Sequence, residues 1–303
     1  MTSPVLFLIF KRAETTRRVF GRIREARPPR LYIAADGPRA DRVGEAAQCA
    51  EARAVVAAID WPCEVHRLYQ DKNLGCGQGV SKALSWFFEQ EEQGIIIEDD
   101  ILPHLDFFRY CDEMLERFKD DERIQLIAGS NYFYNGFDAD VSYYLSSFMH
   151  IWGWASWRRV WQTYDFDLNH LSDDRMHAQL FKLFPKPSAR YFWKIYQVMK
   201  RHEIDTWDYQ LFMNQQYYNR YAISPYVNMV ENIGIGGGDA THTTEDTATS
   251  NPNVGSPFPL KHPEQVSTNR AADLIAMKTT GQYQRPLMER IYRKVMRTAQ
   301  KLL

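Results

Sequence analysis

The sequence predicts an α/β fold with a mostly parallel central sheet flanked by helices. Three observations carry this. Strand-like and helix-like segments alternate through the first half of the 303-residue chain, as in sheets wrapped by helices. The run Ile95-Ile96-Ile97 is apolar at every position, which suits a central parallel strand covered on both faces. Val80, Ala83, Leu84, Phe87 and Phe88 recur at i, i+3, i+4, i+7 and i+8, the period of a helix that delivers the chain to that strand.

In order, the expected elements are a strand from Val5 to Phe10, a polar helix from about Glu14 to Ala26 and a strand from Leu31 to Ala35. An Ala-rich helix near Glu45 to Ala58 and a strand from Glu64 to Tyr69 follow. The helix containing Val80 to Phe88 is expected to end at Gly94. A second amphipathic helix, Leu105 to Phe118, would turn Leu105, Phe108, Leu115 and Phe118 inward, and Ile124 to Ala128 reads as a buried strand. Beyond Ser130 the alternation gives way to aromatic segments, Tyr132-Phe133-Tyr134 and Trp152 to Trp157, and to helical stretches at about 189–201 and 205–218. Residues 234 to 259 are rich in Gly, Thr, Asn, Asp and Pro, the composition of a functional lid. The chain is expected to divide at that point into a main domain, 1–258, and a helical C-terminal extension, 259–303.

A net charge of −1 gives no global drive toward nucleic acid, so an anionic partner must be held locally. The exception is the end of the chain. Arg285, Arg290, Arg293, Lys294, Arg297 and Lys301 face only Glu289, and Leu287, Ile291, Val295 and Leu302 form an apolar stripe among them. Such a helix suits peripheral contact with an anionic membrane, or docking on the protein itself. Cys49, Cys63, Cys76 and Cys111 have neither CxxC spacing nor partners at zinc-ligand distances, which fits reduced thiols and makes the cytoplasm the expected location. The run Val5 to Phe10 is too short for a signal peptide or a membrane span, and Tyr143 to Trp157 is broken by Ser146, Ser147, His150 and Ser156.

The richest chemistry lies at Glu98-Asp99-Asp100, where the apolar strand empties into three carboxylates. Ligands of open α/β sheets gather at such strand ends. Carboxylate oxygens suit magnesium or manganese, which bind through one or two acids plus substrate phosphates. The competing reading is that Asp99 or Asp100 only caps the next helix. Asn73 to Gly79 could cradle phosphate, but its G-x-G-x-G spacing is not that of a dinucleotide fingerprint, and a flexible turn is the simpler role. No Walker A motif and no GxSxG elbow is present. Asp36, in the turn Asp36-Gly37-Pro38, could accept a hydrogen bond from a base ring N–H. Asp208 is either a helix first-turn acid or a general base beside Trp207. His242, between threonines near the glycine-rich stretch, is either an exposed loop residue or a ligand.

Taken together, these residues resemble a GT-A glycosyltransferase, and specifically the N-acetylglucosaminyltransferase I family. Glu98-Asp99-Asp100 followed by Asp106-Phe107-Phe108 and Tyr110 carries the likeness, with Asn131, Gly153-Trp154, Trp161, Trp207-Asp208, Pro225 and His242 following in order. The resemblance implies a GT-A fold and an inverting, metal-dependent transfer of a hexosyl or N-acetylhexosaminyl group. The donor would be a nucleotide-diphosphate sugar, a UDP-sugar by this likeness, and the acceptor a glycan or other hydroxyl in polysaccharide synthesis of the bacterial kind. It further implies that Arg12 contacts the diphosphate, Asp36 the base, and Glu98 and Asp99 the ribose or sugar hydroxyls. Asp100, with His242, would hold Mn2+ or Mg2+, and Asp208 would be the base. The chain departs from the family at Tyr209, where a second acid is expected, in its longer segment between Trp161 and Trp207, and in the anchor segment it is expected to lack. Acceptor identity does not carry over.

Two other functions remain open at this stage. A sugar-nucleotide pyrophosphorylase would place a glycine-rich loop after the first strand, where this chain reads Lys11-Arg12-Ala13-Glu14. A non-catalytic nucleotide-sugar-binding protein would bind donor without transfer.

Overall fold

The computed structural model describes residues 1–131, 139–234 and 254–279. The first half alternates as expected: β1 (Val5–Ile9), α1 (Ala13–Ala26), β2 (Arg30–Ala35), α2 (Glu45–Val55), β3 (Glu64–Tyr69), α3 (Gly75–Gln90) and β4 (Gln93–Glu98). Next come β5 (Ile101–Pro103), α4 (Leu105–Arg117), β6 (Ile124–Ala128), β7 (Tyr143–Ser146), β8 (Trp154–Trp157) and α5 (Arg158–Trp161). The chain continues through α6 (Asp173–Leu183), α7 (Lys186–Lys200), α8 (Asp208–Tyr217), β9 (Tyr221–Pro225), β10 (Val230–Asn232) and α9 (Arg270–Thr279).

Eight strands form the central sheet in the order β3-β2-β1-β4-β8-β6-β9-β7, while β5 and β10 pair as a separate ribbon. β8 lies antiparallel to both β4 and β6, and β7 is antiparallel to β9. The other strands run the same way, giving the mostly parallel central sheet flanked by helices expected from the sequence.

The apolar strands serve two cores at once. Val5, Phe7 and Ile9 of β1 join Val19, Phe20 and Ile23 of α1 and Phe107, Phe108 and Met114 of α4 on one face. Leu6 and Leu8 meet Ala83, Leu84, Phe87 and Phe88 of α3 on the other. Each strand residue is buried because successive side chains point to opposite faces and both faces are covered.

Several expectations are revised. Gly94 does not end α3, which stops at Gln90; it lies inside β4, where a Cβ would overlap the Phe87 ring and stand 3.0 Å from the Pro4 carbonyl. Leu105 is 41% exposed, because it opens α4 directly after the His104 cap, and Phe107 takes the inward position. The tryptophan-rich segment is a sheet strand, with Trp154 and Trp157 buried on opposite faces. α6, unforeseen in the sequence, begins at the Ser172 cap and joins α7 and α8 around Leu180, Phe192, Tyr196 and Met213.

Residues 267–273 pack against the sheet edge. Leu145 N–H donates to Ser267 O and Asn269 N–H to Leu145 O, and Asp273 of α9 accepts from Ser146 Oγ at 2.6 Å and from Ser147 N–H at 3.0 Å. The basic segment 285–303, Tyr132 to Tyr134, most of the expected lid and His242 lie outside the described residues. Among the described residues, no helix is long and apolar enough to cross a membrane.

The packing at Gly94 gives a stability test. Gly94→Ala should cost about 1–3 kcal/mol, the usual penalty of overfilling a packed interior. Urea unfolding measures it, and an unchanged midpoint would mean that β4 and α3 do not meet this closely.

Candidate active site

The parallel strands bring their carboxyl ends to one edge of the sheet, and the β5–β10 ribbon follows directly from the acidic turn there. Asp99 and Asp100 do not cap a helix. His104 caps α4, its Nδ1 accepting the Asp106 N–H at 3.2 Å. That leaves all three acids at the end of β4 for another role.

Asp99 is buried, and its carboxylate accepts the Phe10 N–H at 3.1 Å and Arg12 Nη2 at 2.5 Å. The other nitrogen of the same guanidinium, Nη1, lies 2.9 Å from Asp100 Oδ2. Burial lifts the Asp99 carboxyl above its usual range, against the pull of Arg12 and the Phe10 N–H. Burial, reinforced by Asp100 and Asp99, pushes Glu98 up to about 8, with Asp208 adding to the rise. For Arg12, burial opposes the charge, but Asp99 and Asp100 outweigh it and keep the guanidinium protonated. Glycine is required above this pair. A Cβ on Gly234 would lie 2.5 Å from Asp100 Oδ2 and 2.8 Å from Arg12 Nη1, while the neighbouring Ile233 N–H donates to Asp100 O at 2.8 Å.

Among the described residues no three His, Cys, Asp or Glu side chains converge as a ready-made metal centre. The donor chemistry nevertheless fits a magnesium-type ion. Asp100 presents a carboxylate that is not fully buried, and a single acid completed by diphosphate oxygens and water is an ordinary way to hold such an ion.

Asp36 sits at the N-terminus of α3, accepting from the N–H groups of Leu74 (2.9 Å) and Gly75 (3.2 Å) and from Asn73 Nδ2 (2.9 Å). Burial raises its carboxyl despite these donors. The next two amides, Cys76 N–H and Gly77 N–H, donate to the two oxygens of Asp205 at 2.9 and 2.8 Å. Asx residues are natural helix caps, but here two acids from distant parts of the chain share one helix end. The glycine-rich segment is therefore neither a flexible turn nor an open phosphate cradle. Gly75 has φ +84°, and a Cβ on Gly77 would stand 2.8 Å from Asp205 Oδ1 and 2.9 Å from Thr206 O. The glycines let Asp205 dock.

Docking of Asp205 holds the start of α8 and with it Asp208. That carboxylate accepts from Thr206 Oγ1 and from the Tyr209 N–H, and it is close enough to Glu98 to raise it. Trp207 is buried and stacks on Trp154, with ring centroids 5.7 Å apart and planes 20° from parallel. Tyr164 OH bonds Trp207 O at 3.1 Å and Ser81 Oγ at 3.0 Å. Trp154 and Trp157 are buried core residues, and Tyr209 interacts with Tyr191. Cys76 lies among these acids, and burial, with Glu98 and Asp205, pushes its thiol up to about 12, so it is no nucleophile at neutral pH.

The structure thus gathers Arg12, Glu98, Asp99, Asp100 and Asp208 at one place, with Asp36 one helix end away. Asp205 was missed from the sequence. Its signal is paired: an acid three residues before Asp208, and glycines at alternate positions before a helix.

No protein-family model and no curated protein matches the chain. Among solved structures the chain is similar to HddC from Yersinia pseudotuberculosis, at 12% identity and a TM-score of 0.33, over 56% of this chain and 85% of that one. It is similar to S. aureus TarS 1-349 at 11% identity and a TM-score of 0.38, over 73% of this chain and 58% of that one. HddC complexed with GMP-PN matches at 11% identity and a TM-score of 0.32, over 52% of this chain and 77% of that one.

If Asp205 holds Asp208 in place, Gly77→Ala should disturb both. We expect a loss of about 1–2 kcal/mol, the range for a removed helix cap, with a similar loss in Asp205→Ala and partial recovery in Asp205→Asn. Thermal unfolding of the three variants reads this out, and equal stability of Asp205→Ala and the parent chain would remove Asp205 from its assigned role.

Proposed function

We propose that the protein is a glycosyltransferase that moves a sugar from a nucleotide-diphosphate donor to a hydroxyl acceptor. One observation carries this reading: Asp208, from the far half of the chain, comes to the end of a central strand, because its neighbour Trp207 stacks on Trp154, which lies opposite Ile96, two residues before Glu98. Cation and acids for the donor on one side, and a second acid for the acceptor on the other, are the parts that sugar transfer needs.

In this mechanism Arg12 turns from Asp100 toward the donor diphosphate and neutralises part of its charge. Asp100 would hold a Mn2+ or Mg2+ ion, which when bound supplies further positive charge to the departing diphosphate. Glu98 would bind a ribose or sugar hydroxyl, Asp99, buried and bonded to Arg12, would hold that arginine in place, and Asp36 would contact the base. Asp208 takes the proton from the acceptor hydroxyl. The freed oxygen lone pair attacks the anomeric carbon as its bond to the diphosphate breaks, so one displacement inverts that centre. The pyrophosphorylase reading is disfavoured because β1 ends at Ile9 and α1 begins at Ala13, so the connection Phe10-Lys11-Arg12 holds no glycine-rich loop.

Two measurements test the proposal. Nucleotide-sugars screened by thermal shift, with and without manganese, should include one that stabilises the chain by about 2.7 kcal/mol at a hundredfold excess over Kd. Asp100→Ala should abolish the manganese-dependent part, and unaltered stabilisation in EDTA would end the metal assignment.

With the donor in hand, Asp208→Asn should retain donor binding while transfer falls by about 10²–10⁴-fold, the usual contribution of a positioned base. A product with retained anomeric configuration would refute the single displacement. Donor binding with no transfer to any acceptor by the parent chain would instead favour a non-catalytic binding protein.

A further inference from the structure

The chain entering α8 is fixed one residue at a time. Asp205 is docked on the amides of Cys76 and Gly77 at the head of α3. Thr206, the next residue, is buried; its carbonyl accepts from Gln210 Nε2 at 2.9 Å and packs over Gly77, where a Cβ would stand 2.9 Å from it. Trp207 then stacks on Trp154, and its carbonyl accepts from Tyr164 OH at 3.1 Å. The backbone that leads to Asp208 is thus held from α3, from α8 itself and from the tyrosine beyond α5.

Both hydrogen bonds to the Asp208 carboxylate fall on the same oxygen. Thr206 Oγ1 donates to Oδ1, the Tyr209 N–H donates to Oδ1 at 2.8 Å, and among the described residues no hydrogen bond reaches Oδ2. Thr206 is the donor of its pair, because an ionised carboxylate only accepts. The last torsion of an Asp side chain is broad, so a carboxylate without such a partner swings and presents either oxygen. Pinned at Oδ1, Asp208 presents Oδ2. A bond between residues two apart at a helix start also firms the turn, so its effects on stability and on rate have to be read separately.

We propose that Asp208 Oδ2 is the oxygen that takes the acceptor proton, and that Thr206 is a positioning residue that assigns this role by holding Oδ1. The role of Asp208 as base rests on the transferase reading, whereas the one-sided hold on its carboxylate does not. In the step itself the acceptor O–H bond breaks as the Oδ2–H bond forms. The oxygen's electron pair goes to the anomeric carbon, and the diphosphate leaves with the electrons of the broken glycosyl bond. Thr206 keeps its own proton throughout. Orientation of a base matters only once the reacting groups are aligned, so Thr206 acts on kcat and not on donor binding.

Kinetics on the full chain test this, with UDP-glucose, UDP-galactose, UDP-N-acetylglucosamine and GDP-mannose as donors, manganese present, and octyl glycosides of glucose, galactose, mannose and N-acetylglucosamine as acceptors. Rates are compared per folded molecule, the folded fraction being read from the thermal transition. Thr206→Val keeps the side-chain volume and removes the hydroxyl. It should lower kcat about tenfold to a hundredfold, the worth of one hydrogen bond to a charged group, with the donor KM unchanged. Thr206→Ala should show the same fall, and Thr206→Ser should recover the parent rate. In an Asp208→Asn background the fall should vanish, because a positioning residue acts only through the group it holds. An unchanged kcat in Thr206→Val and Thr206→Ala, no recovery in Thr206→Ser, or a full further loss on top of Asp208→Asn would overturn the proposal and leave the transferase reading in place. Absence of product from every donor and acceptor pair with the parent chain would overturn both.

Discussion

The pairing of Arg12 with Asp99 and Asp100 is the interaction on which the site depends. Three consecutive acids at the buried end of a central strand repel one another in a medium that screens poorly. A guanidinium can face two carboxylates at once because its nitrogens are spread in a rigid plane, and Arg12 uses Nη2 for Asp99 and Nη1 for Asp100. The positions are set by the sheet. β1 and β4 are parallel neighbours, so the residue three beyond the end of one strand stands beside the acids that leave the other. Gly234 closes over the pair because it has no side chain to displace it.

A second use of carboxylates ties the distant half of the chain to this cluster. The amides of α3's first turn form an electropositive end of the kind that binds anions. Asp36 and Asp205 occupy it from opposite directions. The consequence reaches Asp208, since Asp205, Thr206 and Trp207 are each fixed: by α3, by the Asp208 carboxylate itself and by the Trp154 ring. α8 is then buried from Gln210 to Tyr217, and the side-chain amide N–H groups of Gln210, Gln215 and Gln216 donate to backbone carbonyls. A helix so enclosed carries Asp208 as a fixed group.

Much of this was legible in the sequence where a residue's role follows from its neighbours along the chain. The strands β1 to β4, β6 and the helices between them follow from period and burial, and the acidic cluster is placed by the strand that precedes it. What depends on distant pairing was not legible. Gly94 reads as a helix stop until Phe87 is seen against it, and Asn73 to Gly79 reads as a turn until Asp205 arrives from the far half of the chain. β8 escaped because an antiparallel strand inserted between parallel ones has no local signature, only aromatic side chains that fit either a core or a ligand. α8 was expected as a helical stretch at about 205–218, but it shows no amphipathic face, because every residue from Gln210 to Tyr217 is buried.

The direction of β8 explains why its tryptophans build the site without lining it. Because β8 runs against β4 and β6, it begins at the end where they finish, with Trp154 opposite Ile96 and Ala128. Its first side chain therefore stands just beneath the carboxyl ends, on the face that carries α3, and Trp207 stacks there. A parallel strand would have delivered its last residue to this level and its first to the opposite edge. The reversal of β7 has the same effect at the sheet's border, where Tyr143 and Tyr144 open the strand beside Pro225 rather than close it on the far side. The two strands that break the parallel order thus both present aromatic residues to the edge on which the parallel strands place their acids.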